Sequence, residues 1–265
     1  MYYTYPAQEF GIFLKQLQQR ALVLLHESRS GHCVFPVGLL LVIDQKHGGD
    51  KTAQELVKRF FLLDKESAAR IDFYYLGWGV DKGWIDRLDP EDLKFDLEGF
   101  VACREILKKA GVKEFGGNAD LILVDAIADA NEVHLRFDEA VGINLSKATY
   151  SGQFGTLGQF LEDLLQAAEE LNLEGTNVSP SWKISDKLGI AYAKESLLQW
   201  VLDKWGAFIG AKQLRGLAVR NIGPRIKLSE LLTFYNNELK KSQEQKDEGG
   251  GPQNLDNVVS SESDP

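Results

Sequence analysis

Three aspartates follow apolar, strand-like segments of this sequence, and carboxylates in such places can hold a divalent cation. They are Asp44, Asp81 and Asp125. In an open α/β sheet, the carboxyl ends of parallel strands face one crevice, where ligands bind. Three carboxylates there would bind a metal ion through oxygen ligands and orient a water or a phosphate. The alternative is that they are turn formers and helix caps, since no D-x-D pair or other metal signature accompanies them.

The segment between the first strand and the first helix occupies the position where Rossmann and P-loop proteins hold phosphate on helix amides. Lys46, His47 and Lys51 would supply positive charge there. The segment matches neither G-x-G-x-x-G nor G-x-x-x-x-G-K-[ST]. Asp44 and Asp50 would oppose an anion, so the pattern is a candidate phosphate site without its consensus.

Glycines recur every third residue just before a predicted helix, at Gly152, Gly155 and Gly158. Free amides at such a helix start can hold an anion. The competing interpretation is a connection that needs glycine for its backbone angles, with Gly158 allowing close packing in the first helical turn.

A local reversal of charge lies near the C-terminal end. The residues between Ala207 and Ser229 include no acid and five cations: Lys212, Arg215, Arg220, Arg225 and Lys227. Such a segment indicates a localised anionic partner, for example a phosphate or the chain's own acidic tail. The segment lacks the clustered aromatics of single-strand nucleic-acid sites, and the alternative is an ordinary solvated basic face.

Nucleophilic catalysis finds little support. Cys33 lies beside His32, but Cys103 lies mid-helix among apolar residues and is predicted to be a small core residue. No G-x-S-x-G motif occurs. Two cysteines without C-x-x-C or zinc spacing exclude a disulfide framework and favour a reducing, cytoplasmic setting.

Composition narrows the class of protein further. The chain has 265 residues, 44% of them hydrophobic, and a net charge of −9. A negative protein is a poor match for nucleic acid or anionic membrane surfaces. We also expect no signal peptide and no membrane segment, because no basic start or long apolar run is present.

Alternating strand and helix signals must position these residues over the first half of the chain. The apolar periodicity and the turn residues predict helices over 7–27, 52–64 and 97–110, and strands over 33–44, 71–76 and 120–126. We place the start of pairing in the first strand at about Val37, after Pro36. Thr52 and Glu55 form a capping box for the second helix.

The pattern changes after the third strand. A turn at 129–131 predicts an antiparallel partner made of 133–135 and 141–145. Further signals predict helices over 157–172, opened by Thr156, then over 185–205 and 229–241, with a strand over 214–222. Residues 242–265 hold six acids and one lysine and are predicted to be a disordered tail.

Together the signals predict a single α/β domain over 1–241, with a mixed, largely parallel, Rossmann-like sheet flanked by helices on both faces and a helical C-terminal part. Two functions follow. The first is an interaction protein, or one that binds a small anion or nucleotide, without a catalytic motif. The second is a metal-assisted hydrolase or nucleotide-processing enzyme that uses Asp44, Asp81 and Asp125. The sequence does not identify a cofactor or an oligomeric state.

Overall fold

A computed structural model describes most of the chain. The described residues are 10–28, 31–60, 63, 71–80, 93–112, 118–129, 132–152, 156–171, 179–188, 192–193, 218–220 and 224–247. Within them, no helix is both long enough and apolar enough to cross a membrane.

The described part of the chain contains seven α-helices and nine strands. The helices are α1 (Phe10–Glu27), α2 (Lys51–Lys58), α3 (Leu97–Lys109), α4 (Leu145–Tyr150), α5 (Leu157–Glu169), α6 (Pro180–Lys187) and α7 (Leu228–Asp247). The strands are β1 (His32–Val42), β2 (Asp72–Leu76), β3 (Trp78–Val80), β4 (Leu93–Phe95), β5 (Ala119–Asp129), β6 (Val133–Asn144), β7 (Tyr192–Ala193), β8 (Ala218–Arg220) and β9 (Arg225–Lys227).

The main sheet is mixed, but the prediction that it is largely parallel is wrong. Its order is β2-β1-β5-β6-β8-β7, and β9 also pairs with β6. Only β1 with β2 and β7 with β8 run parallel in the described sheet, whereas β5 is antiparallel to both β1 and β6. The first strand–helix–strand unit does form a parallel pair. After β2 come the two-stranded ribbon of β3 and β4 and then helix α3. The next strand, β5, pairs with the other side of β1 and runs antiparallel to it.

Helices cover both faces of the sheet, as the sequence predicts. Alternate residues of β1 enter two separate apolar layers, with Leu39 in one and Leu40 in the other. The first layer contains residues of α1, α3 and α7, and the second contains residues of α2, α5 and α6. A strand buried on both faces needs apolar residues throughout, which explains the continuous run in β1.

Strand β1 begins earlier than predicted and includes Pro36. At that residue it pairs with β5 through Asp125, whereas the pairing of β1 with β2 starts one residue later, at Val37. Proline is tolerated where a strand is paired on one side only.

Helix starts follow capping chemistry, with two corrections. Thr156 accepts a hydrogen bond from the Gln159 amide and opens α5, as predicted. The cap of α2 is Asp50 rather than Thr52, because Asp50 accepts from the Ala53 amide at 2.8 Å. The predicted helix over 185–205 is also wrong in part. Helix α6 begins after Ser179, with proline in its first turn, and β7 lies inside the predicted range.

Helix α7 extends six residues into the predicted tail. It runs to Asp247, and the Ser242 hydroxyl donates to the Glu238 carbonyl within it. Residues 242–247 are mostly glutamine, glutamate and lysine, which are good helix formers. The rest of the predicted tail lies outside the described residues.

Candidate functional site

The predicted convergence of strand-end aspartates is wrong for the two that can be placed. Asp125 lies opposite Pro36 in the β1–β5 register, whereas Asp44 follows the other end of β1. Eight residues of nearly extended chain separate those levels, which puts the two carboxylates more than about 20 Å apart. Asp81 lies outside the described residues. The described part of the chain contains no group of three or more histidine, cysteine, aspartate or glutamate side chains suited to a metal ion.

Asp125 instead connects the start of helix α6 to the sheet through hydrogen bonds. Its side chain is fully buried, and its carboxylate accepts hydrogen bonds from the Ser181 amide at 2.9 Å and the Ser181 hydroxyl at 2.6 Å. Ser179 and Arg136 also donate to it. Burial raises the pKa of Asp125, and the hydrogen bonds from the two serines act against that shift. Both carboxylate oxygens are occupied by protein donors, so this site favours a structural role.

The Asp125 network continues into a bulge of β6. Leu123 pairs with Val141 and Asp125 with Arg136, so residues 137–140 form an irregular segment opposite Val124. Arg136 contacts Glu139 as well as Asp125, and burial raises the pKa of Glu139. This network links β5, β6 and the start of α6.

The loop between β1 and α2 is closed by its own carboxylates. Asp44 accepts from the Lys46 amide at 3.3 Å, and its Oδ2 lies 3.5 Å from Nδ1 of His47. Asp50 caps the N-terminus of α2, where its carboxylate accepts a hydrogen bond from the Ala53 amide. Lys46 and Lys51 are exposed. The positions that a phosphate would take are therefore filled by acids of the chain, which disfavours the predicted phosphate site.

The glycine segment is partly explained by packing. Gly152 has a positive φ of 67° after α4, and Gly155 lies outside the described residues. Gly158 stands in the first turn of α5, where the Arg59 Nη2 atom lies only 2.8 Å from the position a Cβ would take. Arg59 also donates to Glu55. The absence of a side chain at Gly158 thus lets the Arg59 guanidinium pack against α5, a contact that the sequence patterns do not predict.

The prediction that Cys103 is a small core residue is confirmed, and the structure shows both thiols in protein surroundings that raise their pKa. Cys103 is buried in α3, where burial raises the pKa of its thiol. Cys33 is half-buried, and burial raises its thiol pKa as well. A raised pKa keeps a thiol protonated and unreactive.

In the part of the basic segment that the structure describes, Arg225 and Lys227 each have an acidic partner. Lys212 and Arg215 lie outside the described residues, and Arg220 belongs to β8, where it pairs with Val141. Arg225 and Lys227 flank the buried Ile226 in β9. Arg225 Nε lies 3.6 Å from Asp138, and Lys227 Nζ lies 2.5 Å from Glu132. Both cations therefore have an acid from β6 or from the residue before it.

Lys227 nevertheless belongs to a groove between α1 and α7, which we call the α1–α7 groove. It has a volume of about 380 Å³ and crosses the point where β9 leads into α7. Its lining residues come from α1, α7 and the ends of β6 and β9: Gly11, Leu14, Lys15, Gln18, Glu132, Val133, Lys227, Leu228, Ser229 and Leu232.

The residues that line the α1–α7 groove include two lysines and one carboxylate, Glu132, and Glu230 in the first turn of α7 is a second acid close enough to act on Lys227. Lys15 is exposed, and its ammonium has no ion pair among the described residues. The hydrogen bond to Glu132 raises the pKa of Lys227, so this lysine stays charged. The first-turn amides of α7, which begins at Leu228, have no carbonyl partners within the helix and carry partial positive charge.

Sequence patterns identified Lys227 but missed Lys15. Lys15 is 212 positions away and reads as the polar face of a helix, so only the packing of α1 beside α7 brings the two lysines to one groove. No family model, no characterised protein and no solved structure matches the sequence.

Proposed function

We propose that this protein binds a small anionic molecule with an apolar body in the α1–α7 groove. The observation that carries the proposal is the groove itself, in which Lys15 and Lys227 lie beside an apolar wall at the start of a 20-residue helix. Its volume of about 380 Å³ falls within the range of small-molecule sites.

The lining residues indicate how such a ligand would lie. The acid group, a carboxylate, sulfonate or phosphate, would bind between the two lysine ammonium groups and near the first-turn amides of α7. The apolar body would contact Leu14, Val133 and Leu232. This division of an apolar surface and a few convergent polar groups is typical of ligand pockets.

Binding is favoured over catalysis at this site. The lining residues include no histidine or cysteine, and the one carboxylate, Glu132, accepts from Lys227. A general base or a metal site would need a carboxylate free to act. The hydrolase alternative has no supporting contact among the described residues, and nucleotide binding, protein partners and a cytoplasmic location stay predictions of the sequence.

The test uses 8-anilino-1-naphthalenesulfonate, which joins a sulfonate to aromatic rings and fluoresces in apolar surroundings. We expect the K15Q/K227Q double variant of the full chain to bind this probe about tenfold more weakly, which equals about 1.4 kcal/mol. The difference should shrink at high salt, because exposed charges are screened.

Lys51→Gln is the matched control, since this lysine is also exposed but lies at the other candidate anion site. We expect its affinity to stay within about twofold of the unsubstituted chain, a difference of about 0.4 kcal/mol. A larger loss in the control than in the double variant would remove the groove from the proposal.

A further inference from the structure

We propose that residues 252–262 of this chain bind in the α1–α7 groove and compete with its ligand. This inference rests on the proposed function, because the segment would take the place of the small anion. The groove and the segment match in charge, in apolar content and in distance along the chain.

Charge and apolar content are complementary. Residues 252–262 contain two acids, Asp256 and Glu262, and no lysine or arginine, while the groove presents Lys15 without an ion pair among the described residues and Lys227, whose nearby acids are Glu132 and Glu230. The segment also carries Leu255, Val258 and Val259 around Asp256. Apolar side chains beside an acid are what the lysines and the apolar wall of the groove would bind.

The chain length allows the contact. Helix α7 starts at the groove and carries the chain about 22 Å away between Leu232 and Asp247, at 1.5 Å per residue. Leu255 stands eight residues beyond Asp247, and an extended chain of that length spans about 26 Å. Gly249, Gly250 and Gly251 follow one residue, Glu248, after the end of the helix, and their backbone freedom would permit the chain to reverse.

Binding within one chain needs little intrinsic affinity. A tethered segment meets its site at an effective concentration in the millimolar range. If the segment fills the groove in nine of ten molecules, an outside ligand finds an open groove in one of ten. Its apparent Kd then rises about tenfold.

The first experiment repeats the 8-anilino-1-naphthalenesulfonate titration on the full chain with the apolar side chains of the segment removed. We expect the L255S/V258S/V259S variant to bind the probe about tenfold more tightly than the unsubstituted chain. Replacing Ser260, Ser261 and Ser263 with alanine is the matched control, and we expect no change in affinity from it.

The outcomes separate the two proposals. Lysine-dependent binding that is equally tight with and without the three apolar side chains would overturn the inference and leave the proposed function standing. Because the lysines would hold the segment as well as the probe, the K15Q/K227Q substitutions are also made in the L255S/V258S/V259S variant, where we expect their full tenfold effect. Probe binding that does not depend on Lys15 and Lys227 in that variant would overturn the proposed function instead.

A second measurement tests the inference without a ligand. We place the photo-crosslinker p-benzoylphenylalanine at Gln18, which lines the groove, and as a control at Leu22, an exposed residue of the same helix outside the groove. We expect crosslinks to residues 252–262 from the first position only. No such crosslink, or equal yields from both positions, would overturn the inference. So would crosslinks joining ¹⁴N and ¹⁵N chains in a mixed sample, since those would assign the groove to a second copy.

Discussion

At the scale of single residues, Asp125 is a fully buried carboxylate that accepts four hydrogen bonds from three residues. It connects β5 to the first turn of α6 through Ser179 and Ser181, and to β6 through Arg136. A buried carboxylate costs free energy by desolvation, and its partners lose their acceptor if it is removed. Its contribution is therefore best seen by deletion and by titration.

We expect Asp125→Ala to lower the free energy of unfolding by about 3 kcal/mol or more, because Arg136 and both serines would stay buried without their acceptor. Urea unfolding measures this. Asp44→Ala is the comparison, and it should cost about 1 kcal/mol because it removes only a cap at a partly exposed turn. A similar small loss in both variants would show that the network is dispensable.

Titration gives a second test at Asp125. Burial raises its pKa in the folded protein, while the unfolded value is about 3.9. At a pH between the unfolded pKa and the higher folded pKa, the folded protein binds the proton of Asp125 more tightly than the unfolded chain does. The contribution of Asp125 to the free energy of unfolding therefore grows as the pH falls through this range. We expect the unfolding free energy of the unsubstituted chain, minus that of Asp125→Asn, to increase from pH 7 toward pH 4. A constant or shrinking difference would contradict the assignment.

At the scale of elements, an acid with the opposite pKa shift joins α3 to α7. Glu238 accepts from Lys241 at 2.9 Å and also from Lys109 of α3. These hydrogen bonds lower its pKa. The stability it contributes is present above the unfolded value of about 4.3 and is lost as the pH falls through the folded value.

We therefore expect Glu238→Gln to destabilise the protein at pH 7, with a loss that disappears on acidification toward pH 3. Chemical unfolding at several pH values checks this. The trend is opposite to that of Asp125→Asn, so the two variants control for each other. A loss that persists at low pH would mean that α7 docks without the ion pairs of Glu238.

The loop between β1 and α2 offers a matched pair of glycines. A Cβ at Gly49 would lie 2.1 Å from the Ile43 carbonyl oxygen, whereas a Cβ at Gly48 meets nothing within 4 Å, although its φ is +96°. We expect Gly48→Ala to cost about 1–2 kcal/mol, from left-handed strain alone. Gly49→Ala should cost more, because the backbone must move, and thermal unfolding compares the two. An equal or smaller loss in Gly49→Ala would contradict the close approach.

Local elements could be predicted from the sequence because their signals are local. The apolar run of β1, the apolar periodicity of α1 and the cap at Thr156 are each contained within one short segment of the sequence. The sequence does not show which residue caps α2, because Asp50 and Thr52 are both good caps and only the structure shows that Asp50 accepts the amide. The predicted helix over 185–205 leaves out the start of α6, although Ser179-Pro180 is itself a start signal.

At the scale of the whole molecule, the direction of β5 decides which residues meet. The same alternation of strands and helices is compatible with parallel and antiparallel returns, so the sequence could not show that Asp44 and Asp125 lie at opposite ends of β1. The candidate site was hidden for the same reason. Lys15 and Lys227 meet only because α1 and α7 share one face of the sheet.

The central claim is that the α1–α7 groove is the ligand site, and methyl NMR of the full chain tests it most directly. We expect saturating 8-anilino-1-naphthalenesulfonate to shift the methyl signals of Leu14, Val133 and Leu232, which line the groove. Leu56 and Leu157, near the other two candidate anion sites, should not shift. Shifts centred on those two residues, with the groove signals unchanged, would contradict the account.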